Sequence, residues 1–273
     1  MITRTGIVAA GVLALAGQAL GGVSAQAYAV NLNGTSLYSW GIDSPGTTSF
    51  IGNVTGLPSG ESIRGIDFRP VTGQLYGLSN AGKLYVIDTG TGAATAVGGT
   101  GATLSGDFNG FDFNPTVDRI RVTSSSTQNL RMHPTTGNVV ATDGNLAFAN
   151  GDSPFVVASA YTNNFAGSTS TTLYNLDSRS NTLLTQIPPN NGQVNLVGGL
   201  GVDFDGDAGF DIFGPNAYAV LNTGGSYSGF YSIDLATGGA TLVGNMAGGR
   251  WAARLGWPVA LRWMLAGLLL VLA

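Results

Sequence analysis

A pattern that returns about every forty-five residues constrains this chain more than any other feature. Its fullest copy begins at Gly65-Ile-Asp-Phe-Arg-Pro-Val-Thr-Gly-Gln-Leu-Tyr-Gly-Leu and runs on through Leu84-Tyr-Val-Ile-Asp88, Thr91-Gly92 and Val97-Gly98. Alternating apolar and polar positions closed by Thr-Gly or Asn-Gly read as strands joined by tight turns. Related strands start at Leu37, Leu84, Leu130, Leu173 and Phe230, with separations of 47, 46, 43 and 57 residues. A second series, Gly65-Ile-Asp-Phe68, Gly110-Phe-Asp-Phe113 and Gly201-Val-Asp-Phe204, is spaced by 45 and 91. Four strands of five or six residues with short turns fill such a period, which is one propeller blade. The fold class expected is all-β, a β-propeller of about five four-stranded blades; a β-sandwich, which would not repeat, ranks second. The closing blade reads as incomplete. The first unit has no Gly-x-Asp-Phe strand, and ring closure would draw one from the residues after Val243.

Composition excludes several classes of function. All fifteen Asp and Glu lie between Asp43 and Asp234, where only seven Lys and Arg accompany them, so the central region carries about −8 and would repel phosphate backbones. No nucleic-acid partner is expected. The absence of cysteine removes disulfides, thiolate nucleophiles and Cys-type metal sites. The chain carries one histidine, His133, in a turn slot before Thr136-Gly137, and it contains no Gly-x-Ser-x-Gly, no His-Glu-x-x-His and no phosphate-binding glycine loop.

Residues 1–27 read as a signal peptide: Arg4, an apolar stretch from Gly6 to Leu20, and the small-x-small site Ala25-Gln26-Ala27, with Val23-Ser24-Ala25 as an alternative cut. The propeller domain is expected over 28–246, outside the cytoplasm: secreted, periplasmic or at the cell surface. Residues 247–273 form an apolar, Arg-containing tail with no Asp, Glu, Ser, Thr or Asn. It reads as a degenerate sorting anchor, a membrane segment or a shifted frame. Membrane contact is expected through this tail if at all, and Arg262 inside it would cost roughly 2.5–3.5 kcal/mol at a bilayer centre.

Candidate site residues come from the second series. Asp67, Asp112 and Asp203 would place carboxylates on inner strands near a channel mouth, with Arg69 and Arg121 as charged neighbours. Backbone-bonded structural roles would explain the same residues, and the Asp118-Arg-Ile-Arg run also fits a solvated strand face. Asp203, Asp205, Asp207 and Asp211 supply oxygen donors at a spacing that suggests Ca²⁺, although Ala208 and Gly214 do not fit an EF-hand loop. No other cofactor is expected. Asp88 and Asp234 precede Thr-Gly pairs and read as turn residues. The fourth unit departs from the pattern: Val156 to Gly167 replaces the Gly-x-Asp-Phe run, and Leu183 to Val197, split by Pro188-Pro-Asn-Asn-Gly192, reads as an extra-long outer hairpin suited to partner binding.

The Gly-x-Asp-Phe-x-Pro series, Leu75-Tyr-Gly-Leu, Asp118-Arg-Ile-Arg-Val, Gln128-Asn-Leu-Arg, Ala160-Tyr-Thr-Asn-Asn and Thr172-Leu-Tyr-Asn-Leu-Asp together resemble a bacterial family of exported proteins, domain of unknown function 4394, over roughly residues 28–244. The resemblance implies a secreted propeller-like domain with no established activity. It also implies a Pro-Glu-Pro sorting tail with a basic end, which residues 247–273 lack. The expected function is a non-enzymatic, monomeric module that binds an extracellular protein or polysaccharide. The alternative is an extracytoplasmic hydrolase or lyase using channel carboxylates and arginines.

Overall fold

The computed structural model describes residues 25–247 together with Gly256. The expected signal segment up to residue 24 and the rest of the expected tail lie outside the described residues. Nineteen strands form five antiparallel sheets, each a meander in chain order. The first blade holds β1 (Gln26–Val30), β2 (Ser36–Gly41) and β3 (Ser49–Asn53). The second holds β4 (Ile63–Phe68), β5 (Leu75–Ser79), β6 (Leu84–Ile87) and β7 (Ala94–Ala96); the third, β8 (Asn109–Asn114), β9 (Arg119–Ser124), β10 (Asn129–Met132) and β11 (Val139–Thr142). The fourth comprises β12 (Val156–Tyr161), β13 (Leu173–Asp177), β14 (Thr182–Gln186) and β15 (Val194–Gly199), and the fifth β16 (Gly209–Phe213), β17 (Asn216–Leu221), β18 (Gly229–Ile233) and β19 (Ala240–Asn245). The protein is thus a five-bladed β-propeller. Strand β1 begins two residues before the expected domain boundary at 28, and Ala27 is fully buried. The described residues include one 3₁₀ turn, Pro189–Asn191, and no helix long and apolar enough to cross a membrane.

Burial grades outward along each blade. The inner strands β4, β8, β12 and β16 are buried on nearly every residue, because neighbouring blades cover both faces, whereas β3, β11 and β19 are mostly exposed. Apolar side chains collect in clusters between blades. Val30, Leu37, Ile66 and Phe68 join the first blade to the second; Leu78, Phe113, Val122 and Met132 join the second to the third. Leu176, Phe210, Ile212 and Ala219 join the fourth to the fifth, and Trp40 packs edge-on against Phe230 where the fifth meets the first. A bulge recurs between the third and outer strand in four blades, at Leu37/Tyr38, Arg131/Met132, Leu183/Leu184 and Phe230/Tyr231. Such bulges add twist and keep exposed edges from pairing with other chains.

The turn residues act as their spacing indicates. Asp88 Oδ1 accepts the Gly90 amide and the Thr91 hydroxyl, each at 2.9 Å; Asp234 does the same for Ala236 and Thr237. The Nδ1 atom of His133 accepts the Thr135 amide at 3.1 Å. The fourth blade corrects the sequence reading. Leu173 opens β13, the second strand, rather than the strand equivalent to Leu84, and Leu183 to Val197 is the ordinary third and outer pair β14–β15 rather than an added hairpin. With Leu183 in the series, the separations become 47, 46, 53 and 47.

The first blade closes as its incomplete pattern suggests. Gly256 bridges Tyr28 antiparallel, with both backbone hydrogen bonds at 3.3 Å, on the edge of β1 that faces the axis.

Candidate functional site

Register identifies the positions that surround the axis. Asp67 pairs with Tyr76, Asp112 with Arg121, Ala160 with Tyr174, Asp211 with Tyr218 and Gly256 with Tyr28. These five are therefore equivalent, one per blade, and three of them are aspartates. The Gly-x-Asp motif follows from close packing of adjacent inner strands. A Cβ on Gly65 would lie 2.5 Å from Phe111 Cβ, and one on Gly110 would lie 2.1 Å from Ser159 Oγ. Without those side chains the next strand comes close enough to donate an amide to the carboxylate two residues on. Phe113 N donates to Asp67 Oδ2 at 2.8 Å, and Tyr161 N to Asp112 Oδ1 at 3.2 Å.

Asp67, Asp112 and Asp211 are at most 1% exposed, and each offers an oxygen within 4.8 Å of the others. Asp67 Oδ1 also accepts the amide of Phe68, and Asp211 Oδ1 that of Ile212, both at 2.6 Å. Asp211 Oδ2 has no hydrogen-bond partner. Burial pushes the Asp67 carboxyl up to about 8, against the two amides that favour its charged form. Burial, then the charges of Asp67 and Asp211, hold Asp112 well above the ordinary carboxylate value; burial and Asp67 do the same to Asp211.

The axial group thus contains Asp67 and Asp112 as expected, but Asp211 in place of Asp203. Asp203 sits on the loop entering the fifth blade, where its Oδ1 accepts Asn181 Nδ2 at 2.9 Å. Asp205 caps the Asp207 amide at 3.0 Å. Of the four carboxylates considered for Ca²⁺, Asp211 alone belongs to a group of acidic residues close enough to share an ion, among the described residues. The signal that could have placed it is the strand Asn216-Ala-Tyr-Ala-Val, which repeats Gln26-Ala-Tyr-Ala-Val and marks Gly209-Phe-Asp211 as the strand before it. The 91-residue step to Gly201, about twice the period, pointed to the wrong Gly-x-Asp.

The two arginines join neighbouring blades. Arg69 makes a two-pronged ion pair with Asp118 in the third blade, its Nε 2.8 Å from Oδ1. Arg121 is 2% exposed, so it is no solvated strand residue. It donates to Asn129 Oδ1 at 2.7 Å, Asp143 Oδ2 at 2.6 Å, Asn190 Oδ1 at 2.7 Å and the Tyr161 hydroxyl at 3.3 Å. Arg121 stands where the other four blades carry tyrosine, and its network turns the contact between blades three and four polar. The chain runs on through Gln186, Asn175 and Ser159 to Thr123, all at most 2% exposed. The apolar cluster there is small, with Leu146, Val156, Leu184 and Val194 at its centre. The Pro189–Asn191 turn belongs to this seam: Pro189 O accepts Asn129 Nδ2 and Gln186 Nε2 at 3.0 and 2.7 Å.

The seam opens into a pocket of about 220 Å³ lined by Asn114, Arg119, Arg121, Arg131, Tyr161 and Asn190, among others. Arg131 grips Asp143 through Nε and Nη2, both at 2.8 Å, while Arg119 has no ion-pair partner among the described residues. A larger open groove of about 830 Å³ passes Asp152, Asp177, Arg179 and Leu196 and carries both signs of charge.

Several solved structures resemble the chain in shape. A protein of unknown function from Bacteroides caccae shares 10% identity over 83% of this chain and 74% of its own, with a TM-score of 0.46. Another of unknown function, from Bacteroides thetaiotaomicron VPI-5482, shares 15% over 82% and 59%, with a TM-score of 0.48. The dihydro-heme d1 dehydrogenase NirN in complex with DHE shares 13% over 80% and 43%, with a TM-score of 0.40. The chain thus spans less than two thirds of the last two proteins. A search of curated proteins finds no match. A family model described as Domain of unknown function (DUF4394) matches residues 36–255, nearly the whole described propeller, and the chain belongs to that family.

Proposed function

We propose that the protein is a non-enzymatic binding module, secreted or held at the cell surface, that takes an extracellular polysaccharide or protein at the pocket between blades three and four. The observation that carries this reading is the charge of that pocket. Arg119, Arg121 and Arg131 meet there on a domain whose balance is otherwise acidic, with Asn114, Asn190 and Tyr161 adding hydrogen-bonding groups. Such a lining suits a carboxylate-bearing ligand, an acidic polysaccharide before a neutral one. Arg121 is held by four protein partners, so Arg119 and the free edge of Arg131 are the groups that would bind.

Binding is favoured over turnover by the placement of the carboxylates. A hydrolase or lyase needs an acid or base within reach of its substrate, whereas Asp67, Asp112 and Asp211 are buried and Asp143 is occupied by two arginines. Calorimetric titration of the full chain with uronic-acid oligosaccharides and with neutral glucans tests the proposal. Binding of the acidic series, weakened about tenfold or more by Arg119→Ala, is expected. Equal binding of neutral glucans, or indifference to Arg119→Ala, would overturn it.

A further inference from the structure

We propose that Asp67, Asp112 and Asp211 form a calcium site on the propeller axis, a structural site separate from the ligand pocket and independent of the reading above. Three carboxylates from three different blades each present an oxygen within 4.8 Å of the others, the span available around an ion with Ca–O distances of about 2.3–2.6 Å.

The second observation is the lone oxygen. Asp67 and Asp112 each receive an amide from the next blade, whereas among the described residues Asp211 receives that of Ile212 alone, and its Oδ2 is buried with no hydrogen-bond partner. A buried acceptor in a native fold calls for a partner, and here the neighbours are other carboxylates. Among the described residues no cationic side chain supplies one. The ion pairs among the described residues go to Asp118, Glu61 and Asp143, none of which belongs to the axial group. A separate small space of about 20 Å³ lies one step along the inner strands, lined by Gly65, Gly110, Ser159 and Gly209, each glycine two residues before one of the aspartates, and not by the carboxylates themselves. The two remaining axial positions, Ala160 and Gly256, carry small residues without a charge or a side-chain donor.

The chemistry points to calcium among divalent ions. All the donors are oxygens, with no thiolate or imidazole, which disfavours zinc. Magnesium demands near-ideal octahedral order and keeps several waters, whereas calcium accepts irregular shells of carboxylate oxygens.

Metal analysis and thermal denaturation of the full chain test the site. The chain would be unfolded and refolded in chelator or in CaCl₂, so that a trapped ion cannot mask the answer. Expected are about one calcium per chain and, at roughly a hundred times the dissociation constant, a melting temperature about 5–10 °C above the chelated protein. Asp112→Asn and Asp211→Asn would abolish the stoichiometric calcium, and Asp205→Asn would leave it unchanged. If the removal of Asp112 prevents folding, Asp205→Asn and calcium stoichiometry in the parent chain still decide. No bound calcium and identical melting in chelator and CaCl₂, or loss of calcium on Asp205→Asn, would overturn the proposal.

Discussion

Gly73 and Gly137 have the same backbone angle, φ +69°, and opposite surroundings. A Cβ at Gly73 meets nothing within 4 Å, whereas one at Gly137 would stand 1.9 Å from the carbonyl oxygen of Gly98 in the neighbouring blade. Gly73→Ala is therefore expected to cost about 1 kcal/mol, the backbone penalty alone, and Gly137→Ala about 3 kcal/mol or more, as read by urea denaturation. Asp143 offers a pH test. Burial works to raise its pKa, but hydrogen bonds from Arg131 and Arg121 prevail and hold it below the ordinary carboxylate value. Its folded pKa is thus lower than its unfolded one, so its contribution is present above about pH 4 and is lost as pH falls through the folded value. Asp143→Asn should flatten the acid limb of the stability curve measured between pH 2 and 5. At this scale the turn roles of Asp88, Asp234 and His133 were legible, because a side chain that caps its own turn needs only local sequence. Arg121 was not: its four partners lie 8 to 69 residues away, and a lone Arg in a strand looks the same whether it meets water or a buried seam.

Strand pairing shows where the repeat could be read and where it misled. In the second blade both the second and the third strand carry Leu followed by Tyr, so Leu75-Tyr-Gly-Leu and Leu84-Tyr-Val-Ile look alike although they lie side by side in one sheet. The Leu173 strand was assigned to the wrong neighbour for that reason. Period-two patterning reports which face is covered, not which place in the meander a strand takes. The seam between β9–β10 and β12–β14 has its own energetic signature. Buried apolar surface gives way there to hydrogen bonds that must all be made at once. Arg121→Met takes the guanidinium donor from Asn190, leaves Asn129 Oδ1 only the longer bond from Gln186 and leaves Asp143 to Arg131 alone, and is expected to cost about 3–5 kcal/mol, whereas Arg69→Ala, whose pair with Asp118 is partly solvated, should cost about 1 kcal/mol. Thermal denaturation of the two variants side by side decides, and equal losses would mean that the seam is no more committed than a rim ion pair.

Across the whole molecule the ring closes through the packing of Trp40 on Phe230 and through one backbone bridge of still greater separation. Gly256 reaches back to Tyr28, and a Cβ on it would come within 3.2–3.3 Å of Phe68, Asp67 and Leu75. Gly256→Val is expected to cost about 1–3 kcal/mol, seen as a melting temperature lower by about 3–10 °C. Five wedges and the need for a closing segment were visible in the repeat, since the first unit lacked an inner strand; which glycine would serve was not, because nothing around it repeats the Gly-x-Asp wording. Synthesis runs from one end, so the bridge at Gly256 comes last. A chain delivered up to Asn245 already holds the residues that pack its oldest wedge on its newest, Trp40 on Phe230, but the inner flank of β1 at Tyr28 is still uncovered. Only when Gly256 arrives is that flank met by a backbone bridge, so the last contact of the ring is also the one that covers its first strand.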